Sequence, residues 1–467
     1  MLFNSISFLL FFPIVVAVFF MLPSVRIRNI FLLAASYFFY MNWEPVYALL
    51  LLSSTAITFF AAIGIDRVTE RKKKKAFLVG SLVANLTILF FFKYYAFVAE
   101  NITSLLNAVG LAVEFPHFHL LLPVGISFYI FQALGYSIDV YKGKVAVERN
   151  FFTYALFVSF FPQLVAGPIE RSTNLLPQFH EKKVFSYENI MSGVRLMLWG
   201  YFLKLALADR CGLYVDPVFN NVPYHNGSSF FIASLLFAFQ IYGDFAGYSL
   251  TAIGAAKAMG FNLMENFRRP YLSMSVSEFW HRWHISLSSW FRDYVYIPLG
   301  GNKKGRVRSY INVLATFILS GAWHGANWTF IVWGTLHGLL LCVERFLGWN
   351  KKQWHSVSKF FHCVLTFVLV AAAWVFFRAN TISDAFVIFK EIATDCGVPY
   401  MHKSNLLAVA MALTILLAKE IKDERGSKFT LSCSPSWIVR HVYIVAMIAF
   451  IFLFGVLNGD QFIYFQF

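Results

Sequence analysis

Charge is scarce in this sequence. Of 467 residues only 13% are Asp, Glu, Lys or Arg, about half the share of an ordinary soluble domain. No hydrophilic stretch is long enough to form a separate soluble domain, so residues 1–467 read as one polytopic domain. Cysteine is nearly missing. Cys211, Cys342, Cys363, Cys396 and Cys433 are scattered, with neither metal-ligand nor redox spacing, and are expected to be buried free thiols. There is no glycine-rich phosphate loop, no HExxH zinc pair and no serine in a nucleophile elbow. These absences leave histidine as the natural acid–base group. No metal and no bound cofactor is expected.

What the chain has in abundance is apolar surface. Hydrophobic residues make up 58% of it, including 55 Phe. A bilayer-spanning helix needs about 20 mostly apolar residues. Such runs lie near 3–22, 29–42, 46–65, 76–98, 120–141, 151–166, 190–209, 229–258, 309–323, 327–347, 358–377, 403–419 and 437–457. Those at 29–42, 151–166 and 309–323 are short, so tilted, broken or re-entrant elements are expected there. The chain is therefore an all-α, multi-pass membrane protein. The first run lacks a basic start and a small-residue cleavage site, and is expected to be a retained span.

The net charge of +15 does not indicate a nucleic-acid partner. Lys and Arg cluster in short loops between apolar runs, as cytoplasmic loops do. The densest is Asp66–Lys75, "DRVTERKKKK". Placing it in the cytoplasm also puts the Arg26/Arg28 loop inside and the N-terminus outside. Paired halves of the kind that mark secondary transporters are not apparent.

One polar stretch stands out, "EFWHRWHISLSSWFRDYVYIPLGG" at 278–301. On a helix, residues 278–295 put Trp280, His284, Leu287, Phe291 and Val295 on one side. Glu278, Arg282, Ser286, Ser289 and Asp293 fall opposite, with Glu278 and Arg282 spaced to pair. The expectation is one amphipathic helix at the interface or lining a wet cavity. His281 and His284 at i, i+3 give only a weak metal signal.

"LSGAWHGANWTF" sets His324 between Gly321 and Gly325, with apolar spans on both sides. An ionisable group at membrane depth needs a cavity or a partner, so His324 is a functional candidate. The glycines permit a broken helix and close backbone approach. His337, between Gly334 and Gly338, reads as helix packing. Asp244 in "QIYGDFAGYS" calls for a cation, with Arg268, Arg269 and Arg282 as candidates. "FPQLVAGPIERSTNLLPQF" at 161–179 reads as a re-entrant or interfacial element, with Glu170 and Arg171 near a cavity mouth.

Six stretches carry a resemblance: "FPQLVAGPIER", "GDFAGYS", "GFNLMENFRRPY", the 278–301 segment, "SGAWHGANWTFIVWGTLHG" and the terminal "FIYFQF". With "LPVGISFYIFQALGYSIDVYKGK" they cover nearly the whole chain in order. The chain resembles the membrane-bound O-acyltransferases, in the bacterial branch that O-acetylates alginate and D-alanylates teichoic acid. The resemblance implies a ring of about 11–13 transmembrane helices, with re-entrant and interfacial helices around a thin, funnelled centre. It implies acyl transfer from a cytoplasmic thioester, acetyl-CoA or an acyl-carrier thioester, toward an extracellular acceptor. The WHG-motif histidine, His324, would be catalytic and the RWH histidine, His284, its companion. Arg or Lys often stands in the family where this chain has His281, and Asp in the alginate branch where it has Leu250. "RDYVYIPLGGNKKG" favours the acetyl group over D-alanyl. The implied task is O-acetylation of a cell-wall or secreted polysaccharide from the plasma or inner membrane, with a separate extracytoplasmic acetyltransferase as partner. The alternative is D-alanyl transfer from a carrier protein to teichoic acid.

Overall fold

The structure is a computed structural model. It describes residues 1–113, 115–116, 118, 121–349, 356–401, 403–426, 434, 436–457 and 462–463. Cys433 and the last four residues of "FIYFQF" lie outside the described residues. Every regular element among the described residues is a helix, and turns and irregular segments connect them. Among them, eight helices are long and apolar enough to cross a membrane: Pro45–Arg67, Arg71–Ala108, Tyr187–Phe219, Gly227–Ala258, Trp328–Leu347, Val357–Arg378, Lys403–Glu424 and Trp437–Phe454. Each matches an expected span. The other five expected spans are also helical but shorter or more polar. They are Ile6–Met21, Val25–Met41, Ile126–Tyr141, Phe151–Ser159 and Arg306–His324.

The chain divides into two compact units, Met1–Gly193 with Ala252–Met264, and Val194–Thr251 with Glu265–Phe467. In the first unit, helix Ile126–Tyr141 is buried along nearly its whole length, and its polar Gln132 is satisfied there by donating to the Phe157 carbonyl at 2.6 Å. Helix Phe151–Ser159 stops at Phe160, and a short turn Phe161–Leu164 follows. Pro162 has no amide hydrogen to continue the ladder, so the expected break falls there. Side-chain bonds tie helices together: Tyr154 donates to Thr58 Oγ1 at 2.7 Å, and Asn29 donates to the Phe179 carbonyl at 2.8 Å. Such bonds suit an environment where apolar contact alone does not favour association. Arg28, expected in a solvated loop, is buried and caps three carbonyls, those of Leu22, Phe20 and Lys183. Its charge braces a chain turn.

The second unit holds a large aromatic core. Trp283, Trp333 and Trp374 are all fully buried, with Trp333 and Trp374 stacked at 5.4 Å. Helix Ile382–Thr394 was not expected from apolar runs. Its Thr381–Asp384 capping box, in "TISD", was the available signal. The thiols differ from one another: Cys211 is buried, Cys342 and Cys363 are half-buried, and Cys396 is exposed. The expectation of burial therefore fails for Cys396, which follows the last turn of that helix.

Candidate functional site

The expected single amphipathic helix over 278–295 is not what forms. Two short helices, Val276–Arg282 and Ile285–Phe291, meet at a break, and a π-helical turn Arg292–Tyr296 follows. The break is at His284, whose φ of 43° and ψ of 54° are left-handed. Such a conformation costs a residue with a Cβ on the order of 1–3 kcal/mol and needs surrounding support. The support is the segment 266–268. Arg268 N donates to the Arg282 carbonyl at 2.9 Å, and Ile285 N donates to the Asn266 carbonyl at 2.9 Å. Ser286 N and Oγ both donate to Asn266 Oδ1, at 3.3 and 2.9 Å. Backbone groups that a continuous helix would pair internally are thus paired with a neighbouring strand of chain. Helical periodicity in 278–295 cannot register that competitor. One consequence is that Ser286, assigned to the polar face, is fully buried.

His284 is also fully buried. Its ring lies edge-on to Phe245 at 4.5 Å and stacks on Phe267 at 6.4 Å. Its Nδ1 is 3.1 Å from Asn266 Oδ1. Burial holds its imidazole well below the usual pKa, which favours the neutral ring.

His324 ends helix Arg306–His324, and Gly325 leaves the helix in extended conformation. The flanking glycines permit close packing, as expected. A Cβ on Gly321 would sit 2.3 Å from the Phe330 carbonyl oxygen, and one on Gly334 would sit 2.3 Å from that of Phe317. The hairpin Arg306–Leu347 therefore closes at near backbone contact, which brings His324 against Trp333 at 5.0 Å, and Phe377 of helix Val357–Arg378 lies 5.3 Å from the same ring. His324 is only 3% exposed.

The two histidine motifs meet at one side chain. Trp323 lies 6.0 Å from the His284 ring and 4.9 Å from the His324 ring. A cavity of about 240 Å³ runs beside this cluster, its wall including Ser288, Ser289, Arg292, Thr316, Ser320 and Arg345. Ser320 is one turn before His324 on the same helix. Neither the His324 nor the His284 imidazole is part of that wall, so the expectation that the His284 face lines the cavity does not hold for the ring itself.

The other singled-out residues are placed differently. His337 Nδ1 accepts from Trp280 Nε1 at 3.3 Å, within the aromatic core. His281 is exposed and bonds through Nδ1 to its own helix at the Ser277 carbonyl, so it shares no face with His284. Glu278 and Arg282 pair at 2.6 Å as their spacing predicts, and Arg282 also reaches Glu424 at 2.8 Å. Asp244 does not pair with Arg268, Arg269 or Arg282. Its cation is Lys204 at 2.7 Å, which also holds Asp209 at 2.8 Å, and the Ile463 amide donates to Asp244 at 2.6 Å. Spacing along the chain cannot bring Lys204 and Asp244 together; only packing of Tyr187–Phe219 on Gly227–Ala258 does. Glu170, expected near a cavity mouth, is 2% exposed and accepts from Asn174 Nδ2 and Met264 N. Asn266 is the residue that sequence reasoning missed. It is a polar residue in a loop with no spacing signal of its own.

Residues 144–383 match the model of the membrane-bound O-acyltransferase family. The probable alginate O-acetylase of Pseudomonas putida is 37% identical over 422 residues, covering 89% of this chain and 85% of that protein. The peptidoglycan O-acetyltransferase of Helicobacter pylori is 35% identical over 404 residues, 81% of this chain and 76% of its own. The teichoic acid D-alanyltransferase of Bacillus subtilis is 27% identical over 311 residues, 62% of this chain and 73% of its own. With these matches, an all-helical membrane fold and both histidine motifs gathered at Trp323, the chain belongs to the membrane-bound O-acyltransferase family.

Proposed function

We propose that this protein carries an acetyl group from a cytoplasmic thioester across the membrane for O-acetylation of a cell-wall or secreted polysaccharide. The observation that carries the reading is the meeting of His284 and His324 on the Trp323 indole. Acetyl is favoured over D-alanyl by similarity. The acetylase relatives match at 35–37% over 81–89% of the chain, the D-alanyltransferase at 27% over 62%.

In this reading His324 is the general base. It takes the proton of an acceptor hydroxyl, whose oxygen attacks the thioester carbonyl. The C–O bond forms, the C–S bond breaks, and the proton passes on to the departing thiolate. His284 orients the hydroxyl or steadies the charge that develops. The acceptor hydroxyl belongs to the polysaccharide or to an extracytoplasmic acetyltransferase that completes the transfer. The donor is acetyl-CoA or an acyl-carrier thioester, and no bound cofactor takes part. The two units act as one acyltransferase domain in the plasma or inner membrane, with the N-terminus outside and the basic turn around Asp66–Lys75 inside.

Mass spectrometry of cell-wall and secreted glycans, with and without the protein, tests the substrate. Loss of O-acetyl groups with polymer export intact supports the reading, and loss of D-alanyl esters instead overturns it. His324→Ala should lower acetylation by about 10²–10⁴-fold, the usual worth of positioned proton transfer, at unchanged abundance in the membrane. Acetylation near the parental level would remove His324 from its assigned role.

A further inference from the structure

We propose that Asn266 is a positioning residue. It fixes His284 in the tautomer with hydrogen on Nδ1, so that Nε2 presents a lone pair and the ring acts as a proton or hydrogen-bond acceptor. The inference rests on the reading of His284 as part of the acyl-transfer site and deepens it.

The argument begins with the orientation of the Asn266 amide. Its two ends are fixed by what they face. Ser286 N is a backbone amide and can only donate, and it lies 3.3 Å from one end. That end must be the carbonyl oxygen. The other end, Nδ2, donates to Ser249 Oγ at 3.1 Å. Asn266 is 1% exposed, so water does not offer the amide an alternative arrangement. The oxygen facing His284 Nδ1 at 3.1 Å is therefore an acceptor, and the ring nitrogen must supply the hydrogen. A neutral imidazole carries one N–H, which leaves Nε2 without a proton.

The backbone enforces the same geometry. His284 is one of two non-glycine residues with positive φ among the described residues, the other being Arg269. The conformation is held by Asn266 twice, through its carbonyl on Ile285 N and its side chain on Ser286. The residue that bends the chain at His284 is thus the one that sets the ring's proton. Phe245, Phe267 and Trp323 pack against the ring and fix its plane.

The tautomer narrows the role of His284. With hydrogen on Nδ1 already given to Asn266, the neutral ring has no N–H with which to stabilise an oxyanion. It can accept from a hydroxyl through Nε2. This separates the two parts left open for it, orienting the acceptor or steadying negative charge, in favour of the first.

The test is nitrogen NMR of the full-length protein labelled with [15N]histidine in lipid bilayers. The His284 signals are assigned by difference with His284→Gln. The expected result is a protonated Nδ1 and an unprotonated Nε2 in the wild type. Asn266→Asp keeps an acceptor oxygen at Nδ1 and should keep the signature. Asn266→Leu should give a mixed or reversed tautomer. Glycan O-acetylation should then fall by roughly 10–100-fold, by analogy with the cost of removing the outer partner of a metal-ligating histidine. A wild-type ring protonated on Nε2 overturns the inference, whatever the variants do. An unchanged tautomer in Asn266→Leu overturns it as well. Because the wild-type signature is read without turnover, the inference can fail while the acyl-transfer reading stands. Retained acetylation in His324→Ala would sink that reading without touching the tautomer.

Discussion

Single side chains in this protein are held by partners far away in sequence. Glu170 accepts from Met264 N and Asn174 while nearly excluded from water. Burial pushes its carboxyl up to about 7, against the pull of its donors and of Arg171. The sign of the linkage follows. Between the ordinary carboxyl value of 4.5 and about 7 the folded chain keeps a proton that the unfolded chain has lost. Stability therefore declines as pH rises through that window and levels off above it. The change is on the order of 3 kcal/mol. Thermal unfolding in detergent from pH 4.5 to 8 should show this slope in the wild type and a flatter profile in Glu170→Gln. Parallel profiles would mean that another group sets the pH dependence. Lys204, between Asp209 and Asp244, follows the same logic of distant pairing. A charge buried at membrane depth persists because its partners are arranged around it.

Helices are placed by close approach as much as by hydropathy. The hairpin that carries His324 closes where Gly321 meets Phe330 and Gly334. Alanine at Gly321 would need either helix to shift, because the obstructing atom is backbone. Gly321→Ala should cost about 1–3 kcal/mol, the range for overpacking, and should reduce acetylation by displacing His324 from Trp333. Gly80, in helix Arg71–Leu89, is the control, since a Cβ there meets nothing within 4 Å. Gly80→Ala should be neutral or stabilising through helix propensity. Equal unfolding temperatures for the two variants would refute the close-approach account. The helical segments of 276–296 make a second point about elements. Amphipathic periodicity is a local signal, and it identified a helical region correctly. It could not anticipate that Asn266 and Arg268 would take the hydrogen bonds at Arg282, Ile285 and Ser286.

The whole molecule is organised by the bilayer. Long apolar helices, polar interhelical bonds and a basic cluster at Asp66–Lys75, which the sequence presents as a loop but which forms a three-residue turn, 68–70, and the first turn of helix Arg71–Ala108, follow from a solvent that accepts neither charge nor unpaired backbone. The orientation is testable with a cysteine-labelling series. The exposed Cys396 is first replaced by serine, and Lys72→Cys is added in that background. A membrane-impermeant maleimide should label Lys72→Cys only after cells are permeabilised. Labelling of intact cells would invert the proposed topology and with it the direction of acetyl transfer.

The sequence by itself determined the helical membrane class, the positions of the long spans and the two histidine motifs. Each of these is written in local composition, because a bilayer selects for contiguous apolar length and tolerates polar groups only at a few sites. Tertiary structure alone decided that Asp244 pairs with Lys204, that Arg28 caps carbonyls, that the chain breaks at His284 and that Trp323 joins the two imidazoles. Those outcomes depend on which distant backbone donors and rings arrive together, and a buried polar group takes whichever partner packing delivers.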